Sequence, residues 1–463
     1  MLLASWQHDI SGTGARQTMG LTVRPAGAII SGGEQRIEEA GHSTSPLFFL
    51  THYGPEWIDN RMWKLVLVFA IILVLLNRRW SLEYVLPLGS VLLGLLYALT
   101  PLDILKQIWF ALIDIKTLRL VAAVLLITSL GELMRELKSM QRLVDSLQAL
   151  AGDPRLVLAI IPALIGLLPM PGGAMMSAPM VDEIGSQLDL PAHRRTFLNY
   201  WFRHVWEYVF PLYPALILFS SIMGIPLSRI ALAQAPLTVG ALAGGALLGL
   251  RGIGGPAEAR TKLARPHRGE DLRQLGLSIW PIALVIVLSL GFQLELAASL
   301  VLAILLMTLV HRVKIRTLGT VLLRSLSPRR ALLVFSIMVF KQMVTASGAA
   351  EGASAAFAAL GVSPILTCAA VPLMVGLVTG LALPMVGISL PLVLPIIAGT
   401  EQYANLALLA YSAGFIGVLL SPMHLCLALT REYFRSAWAP LYRLLLPSAA
   451  ILALAATVAW FIA

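Results

Sequence analysis

The side chains of this chain that could do chemistry stand inside apolar sequence. The densest cluster is Asn199-Tyr200-Trp201-Phe202-Arg203-His204-Val205-Trp206-Glu207-Tyr208. Asn199, Arg203 and Glu207 recur every fourth residue, so on a helix they share one face. A guanidinium there could grip a carboxylate with two parallel hydrogen bonds, and His204 or Glu207 could pass a proton. The plainer reading is an interfacial aromatic belt with a surface Arg203–Glu207 pair. His424 follows the helix-breaking Pro422 in the corresponding part of the second half. Lys341 comes directly after Phe335-Ser336-Ile337-Met338-Val339-Phe340. A charge near the bilayer centre costs at least about 2.5–3.5 kcal/mol, so it should be paired or face water. Glu132 is its positional counterpart and expected partner, although Arg135 and Glu136 close behind also suit a helix end.

Backbone could do chemistry as well. Two apolar stretches are broken by proline and glycine, Leu168 to Pro179 and Leu383 to Pro391. In lipid each freed backbone group costs several kcal/mol, so such breaks survive only inside protein or along a wet cavity. Gly172 and Gly173 would let backbone approach a ligand, and Ser177 offers a hydroxyl. Gly387 and Ser389 hold comparable places, preceded by Thr379 and Gly380. A helix starting after such a tip aims N–H groups and a positive dipole end at the cavity, which suits an anion. Alternatively, these small residues only allow close helix packing. Substrate binding is thus expected at the tips and Lys341. Ion or proton coupling is expected at Glu132, Arg203, His204, Glu207 and His424.

No His-Glu-x-x-His, Walker A or Gly-x-Ser-x-Gly pattern occurs. No catalytic residue, metal site or cofactor is expected beyond a coupling ion, H+ or Na+. Cys368 and Cys426 both lie in apolar segments and read as small buried hydrophobes.

The elements positioning these residues are membrane helices. Of 463 residues 58% are hydrophobic and 13% charged, about half the charged share of a soluble domain. Continuous apolar runs argue against a β-barrel. The fold class expected is an all-α polytopic membrane protein with about 11–13 transmembrane helices. Spans fall near 64–77, 82–100, 117–134, 155–168, 205–223, 229–250, 274–292, 295–311, 331–349, 362–380, 403–429 and 443–462. Segment 101–116 suits an interfacial amphipathic helix anchored by Trp109 and Phe110. The net charge of +10 sits in loops such as 251–273 and 312–330, which predicts cytoplasmic loops and no nucleic-acid partner. Residues 1–61 read as a disordered polar extension, and Met62 as an alternative start.

The halves align near an offset of 210. Pro154 and Pro364, Pro162 and Pro372, and Gly166 and Gly376 are 210 positions apart; Tyr200 and Tyr411, and Pro211 and Pro422, are 211 apart. This predicts repeats over 62–250 and 274–463 joined by the basic loop 251–273, each with a re-entrant helical hairpin, as in duplicated transporters.

At Leu168-Pro169-Met170-Pro171-Gly172-Gly173-Ala174-Met175, and from Ser412 through Cys426, the sequence resembles an uncharacterised family of prokaryotic integral-membrane proteins grouped with the ion-transporter superfamily. That superfamily includes carriers of citrate, gluconate and dicarboxylates and some sodium–proton antiporters. The resemblance, which runs from about residue 62 to the C-terminus, implies inverted repeats, elevator-like alternating access and a homodimer. Sodium-coupled dicarboxylate members typically carry a Ser-Asn-Thr triplet at each tip. Here Gly172-Gly173-Ala174 and Gly387-Ile388-Ser389 stand instead, which argues against dicarboxylate specificity and sodium coupling. The expected function is therefore secondary active transport of a small carboxylate-like anion across the inner membrane. The alternatives are a cation–proton antiporter and, from another class, an intramembrane enzyme acting on lipid or peptide.

Overall fold

The computed structural model describes residues 55–78, 80–139, 153–167, 173–253, 268–349 and 361–462, with a few positions between them. Leu168 to Gly172, most of the extension 1–61 and most of the basic loop 251–273 lie outside the described residues.

The described residues are helical, with no strand among them. In the first half run α1 (Pro55–Asn77), α2 (Leu82–Leu96), α3 (Pro101–Ile113), α4 (Ile115–Glu136), α5 (Pro154–Gly166), α6 (Ala174–Gln187), α7 (Ala192–Arg203), α8 (Pro214–Met223), α9 (Leu227–Ala233) and α10 (Ala235–Gly244). In the second run α11 (Arg268–Ile286), α12 (Leu296–Val310), α13 (Ile315–Ser325), α14 (Pro328–Ala346), α15 (Pro364–Thr379), α16 (Ala382–Ile397), α17 (Tyr403–Leu420), α18 (Leu425–Tyr433) and α19 (Trp438–Ile462). Both α10 and α11 end in a short π-helical turn.

Local chemistry explains many boundaries. Proline opens α3, α5, α8, α14 and α15, where its missing N–H costs nothing. Thr100 and Asp153 cap α3 and α5 by accepting from Asp103 N and Arg155 N. Gly224 and Gly380 end α8 and α15 in the left-handed conformation, with φ of 67° and 64°. The amphipathic segment is α3; Trp109 and Phe110 are exposed on it, and Asp114 then caps α4.

Four stretches are long and apolar enough to cross a membrane, namely Ile115–Glu136, Gly269–Gly291, Tyr403–Tyr433 and Trp438–Phe461. Pro214–Met223 and Leu227–Ala233 make a fifth when joined across their 110° bend. The other apolar helices have 10–17 residues. The architecture is thus that of a helical membrane protein.

Two expected elements move. The span near 205–223 is instead α7, an irregular stretch over 204–213, and α8. The second-half hairpin turns at Gly380-Leu381, and 383–391 is helix within α16, prolines included.

Packing repeatedly crosses between the halves. α2 and α3 lie on α14, while α12 and α13 lie on α4. α8 lies on α16, while α6 lies on α18. Within each half, α5 packs on α6 and α7, and α15 packs on α16 and α17. Three glycines set the closest approaches to backbone, Gly166, Gly376 and Gly417, the last against the Leu373 carbonyl. A Cβ on Gly166 would run into the carbonyl oxygen of Arg203, and one on Gly376 into that of Gly414. Backbone cannot give way as a flexible side chain can. Gly166→Ala or Gly376→Ala should therefore cost at least about 1–3 kcal/mol and lower the thermal unfolding midpoint in detergent. Gly276→Ala, which meets open space, is the control and should be silent. Equal midpoints in all three variants would refute the close approach.

Candidate functional site

α7 stops in the interior of the protein, and α17 stops at buried Ser421, just before exposed Pro422 and Met423. A helix ending in a dry core leaves carbonyls without partners, and here side chains supply them. Tyr200 Oη donates to Leu419 O at 2.9 Å and Tyr442 Oη to Leu420 O at 2.7 Å, closing the end of α17. Across the irregular stretch after α7, Thr238 Oγ1 donates to Val205 O at 3.1 Å and Tyr411 Oη to Glu207 O at 2.8 Å. Tyr213 donates to Gly166 O at the end of α5. Trp206 Nε1 reaches Ala163 O at 2.9 Å, and Trp201 Nε1 reaches Ala241 O at 2.8 Å.

The two breaks meet at a histidine pair. His204 opens the first and His424 closes the second, and their Nε2 atoms are 3.1 Å apart. His204 Nδ1 is 2.6 Å from the Tyr200 carbonyl, which can only accept. That contact assigns the proton of neutral His204 to Nδ1 and the lone pair to Nε2. His424 Nε2 must then donate, which leaves its Nδ1 with a lone pair; this buried atom has no partner. The ring of Tyr200 covers both imidazoles, at centroid distances of 4.6 and 5.4 Å.

Charge surrounds the pair. Glu207 Oε1 lies 3.8 Å from His204 Nε2 and 4.0 Å from an Arg203 terminal nitrogen. Arg203 and Glu207 are both buried. Cys426 joins His204 and His424 in one cluster whose ligand atoms all lie within 4.8 Å of one another. Asn199 Nδ2 donates to Ala174 O at 2.9 Å, tying α7 to the start of α6. Asn199 Oδ1, Tyr208 Oη and Gln234 Nε2 are buried with no partner, on residues with no exposure at all. Buried polar atoms are rarely left so.

A cavity of about 810 Å³ opens beside this centre. Thr379, Leu381, Ala382 and Met423 line one wall; Ser81, Glu83, Arg329 and Arg330 line the other. Arg329 Nε donates to Glu83 Oε1 at 2.5 Å and its terminal nitrogen to Ser81 Oγ at 3.0 Å. Gly380, between the lining residues Thr379 and Leu381, lies against the backbone of His424. A Cβ there would stand 2.6 Å from the His424 nitrogen and 2.9 Å from Ser421 Oγ.

The family described as Protein of unknown function (DUF401) matches residues 62–462, nearly all of the chain after the extension. The chain belongs to the DUF401 family. No curated protein matches it.

In this DUF401 member the polar residues expected from sequence divide. Arg203, His204, Glu207 and His424 come together as one centre. Thr379 and Gly380 lie beside it at the second hairpin turn, where Thr379 Oγ1 donates to Val375 O at 2.8 Å. Gly173 and Ser177 frame the start of α6; Ser177 Oγ donates back to Ala174 O at 3.2 Å. Gly172 lies outside the described residues. Gly387 is a packing glycine, since its Cβ would meet Ile337 of α14 at 2.5 Å. Ser389 donates to Met385 O within its own helix. Lys341 stands apart from the centre: its charged neighbours are Lys116 and Asp114, and Gln342 beside it bonds Gln107 of α3. Glu132 is half-exposed and pairs with Arg135 one turn on, not with Lys341.

Sequence reading missed Tyr411, Gln234 and Thr430, whose Oγ1 accepts from Asn199 Nδ2 at 3.4 Å, as neighbours of the site; Cys426 is a free, buried cysteine as expected, and it stands beside the two histidines. Only for Tyr411 was a signal at hand, its 211-residue spacing from Tyr200.

Proposed function

We propose that this chain is a secondary active transporter that moves a small organic anion, carboxylate-like in charge, through the inner membrane on an H+ or Na+ gradient. The observation that carries the reading is the pair of broken helices joined at His204–His424. Irregular backbone at membrane depth is tolerated where it lines a cavity, and discontinuous helices of that kind hold cargo in transporters. The uncapped starts of α6 and α16 offer N–H groups to an anion, with Arg203 as the buried cation. The Arg329–Glu83 cavity is the proposed entrance.

We also propose two structural repeats, a reading that the helix positions favour. α5 and α15 begin 210 residues apart, and α7 with α17 and α8 with α18 begin 211 apart. Gly166 against Arg203 and Gly376 against Gly414 are the same contact at those offsets. Tyr200 bonds the carbonyl of Leu419 while its counterpart Tyr411 bonds that of Glu207, one residue from the exact counterpart of Leu419, so the exchange is close to two-fold. With the bent pair and the shorter apolar helices included, about twelve crossings result. The kinship with the ion-transporter superfamily, the cytoplasmic side of loop 312–330 and a homodimeric assembly belong to the proposal.

Uptake into proteoliposomes tests it. Some labelled carboxylate from a broad panel should accumulate when a pH or sodium gradient is imposed and should not when the gradient is collapsed. Exchange of protons for a metal cation without any carboxylate would favour the antiporter, whose exchanging carboxylate would be Glu207, since Glu132 already pairs with Arg135 at a half-exposed helix end. Release of product from lipid or peptide with no uptake at all would replace both by an enzyme.

A further inference from the structure

The geometry points to a binding site for a soft d-block cation of the Zn2+ class, held by His204, His424 and Cys426 with Glu207 as fourth ligand. Two imidazoles, a thiol and a carboxylate form a donor set that such ions favour over Mg2+ or Ca2+. All four side chains are buried, and the three nitrogen and sulfur atoms lie within 4.8 Å of one another. The Nε2–Nε2 separation of 3.1 Å is close to the roughly 3.3 Å expected when two imidazoles bind one tetrahedral ion at about 2.0–2.1 Å each. Glu207 Oε1, 3.8 Å from His204 Nε2, is the carboxylate oxygen available as the fourth ligand.

A second observation favours a ligand over a plain histidine contact. The Tyr200 carbonyl holds the proton of His204 on Nδ1, which turns the Nε2 lone pair inward. Metal-binding histidines are oriented in this way by a carbonyl behind the ring. Without an ion, the thiol and imidazoles of this cluster converge in an interior where Asn199 Oδ1, Tyr208 Oη and His424 Nδ1 are already unpartnered. A cavity lies next to the cluster along the chain. Met423, a soft thioether, is 53% exposed and lines the 810 Å³ cavity, and His424 is the next residue. On binding, the proton of His424 Nε2 would move to Nδ1 of the same ring, which frees both Nε2 lone pairs for the ion; the Cys426 thiol proton would be released, and no redox step is involved.

The inference stands whether or not the chain transports an anion, and its test uses metal binding alone. Full-length protein, purified in detergent on a tag free of histidine and stripped with a chelator, is titrated with Zn2+ and separately with Co2+. One ion per chain should bind, and Co2+ should give the charge-transfer absorption of a thiolate ligand. Cys426→Ser should abolish that absorption, and His424→Gln should weaken Zn2+ binding at least about tenfold. Both variants are to be checked for an unchanged elution volume and helical circular dichroism. His204→Gln serves in place of His424→Gln if that variant does not fold. Folded wild-type protein that takes up neither ion overturns the proposal. So does Co2+ bound without a thiolate band, or binding that survives both substitutions.

Discussion

Replacing Arg203 with methionine should destabilise the protein by about 3–5 kcal/mol, the usual result of stripping one partner from a buried ion pair. Both side chains lie in the interior, with Arg203 3% and Glu207 10% exposed. Methionine fills much of the arginine volume, so the loss is electrostatic more than steric. What remains is a carboxyl group in the interior, 3.8 Å from His204 Nε2, with no guanidinium to hold its charge. Removing both charges at once tests this account. Arg203→Met with Glu207→Gln should recover most of the lost stability, because no unpaired charge is left behind. Thermal unfolding followed by size-exclusion chromatography in detergent gives all three values. A double variant no better than Arg203→Met alone would show that the guanidinium acts through packing.

His424→Phe should reduce gradient-driven uptake at least about tenfold, which corresponds to about 1.4 kcal/mol of lost interaction. Phenylalanine retains the edge contacts to Tyr200 and His204, whose rings lie 5.4 and 4.9 Å from that of His424. It removes the Nε2 donor that bridges the two broken helices, together with the unpartnered Nδ1. Folding should survive, with an unfolding midpoint close to that of the parent, while transport fails. Uptake at the parental rate would take His424 out of the transport mechanism.

The centre was legible in the sequence because its residues are costly. Arg203, His204 and Glu207 would not sit in an apolar stretch without partners, and His424 directly follows a proline-broken helix. Position along the chain was harder to read. The prolines of 383–391 suggested a break, yet Pro384 occupies the first turn of α16, where no hydrogen bond is lost, and Pro391 and Pro395 are accommodated inside the helix. The turn falls at Gly380, which takes the left-handed conformation. Lys341 looked central from its apolar neighbours, but α3 and the start of α4 bring Gln107, Asp114 and Lys116 alongside. Of the groups that satisfy the broken backbone, Tyr411 alone left a signal, its spacing from Tyr200, and the others left none. Thr238, Tyr411 and Tyr442 do so through contacts that local spacing does not encode.

The exchange of tyrosines between the halves has a consequence in time. The Glu207 carbonyl obtains its partner only from Tyr411, 204 residues later. At 5–20 residues per second the ribosome needs roughly 10–40 s to cover that distance. Throughout that interval the first broken helix must sit in the bilayer or the insertion machinery with an open polar gap at its centre. The second half is therefore the clasp that lets the first half close, and the nascent chain depends on shelter until it arrives.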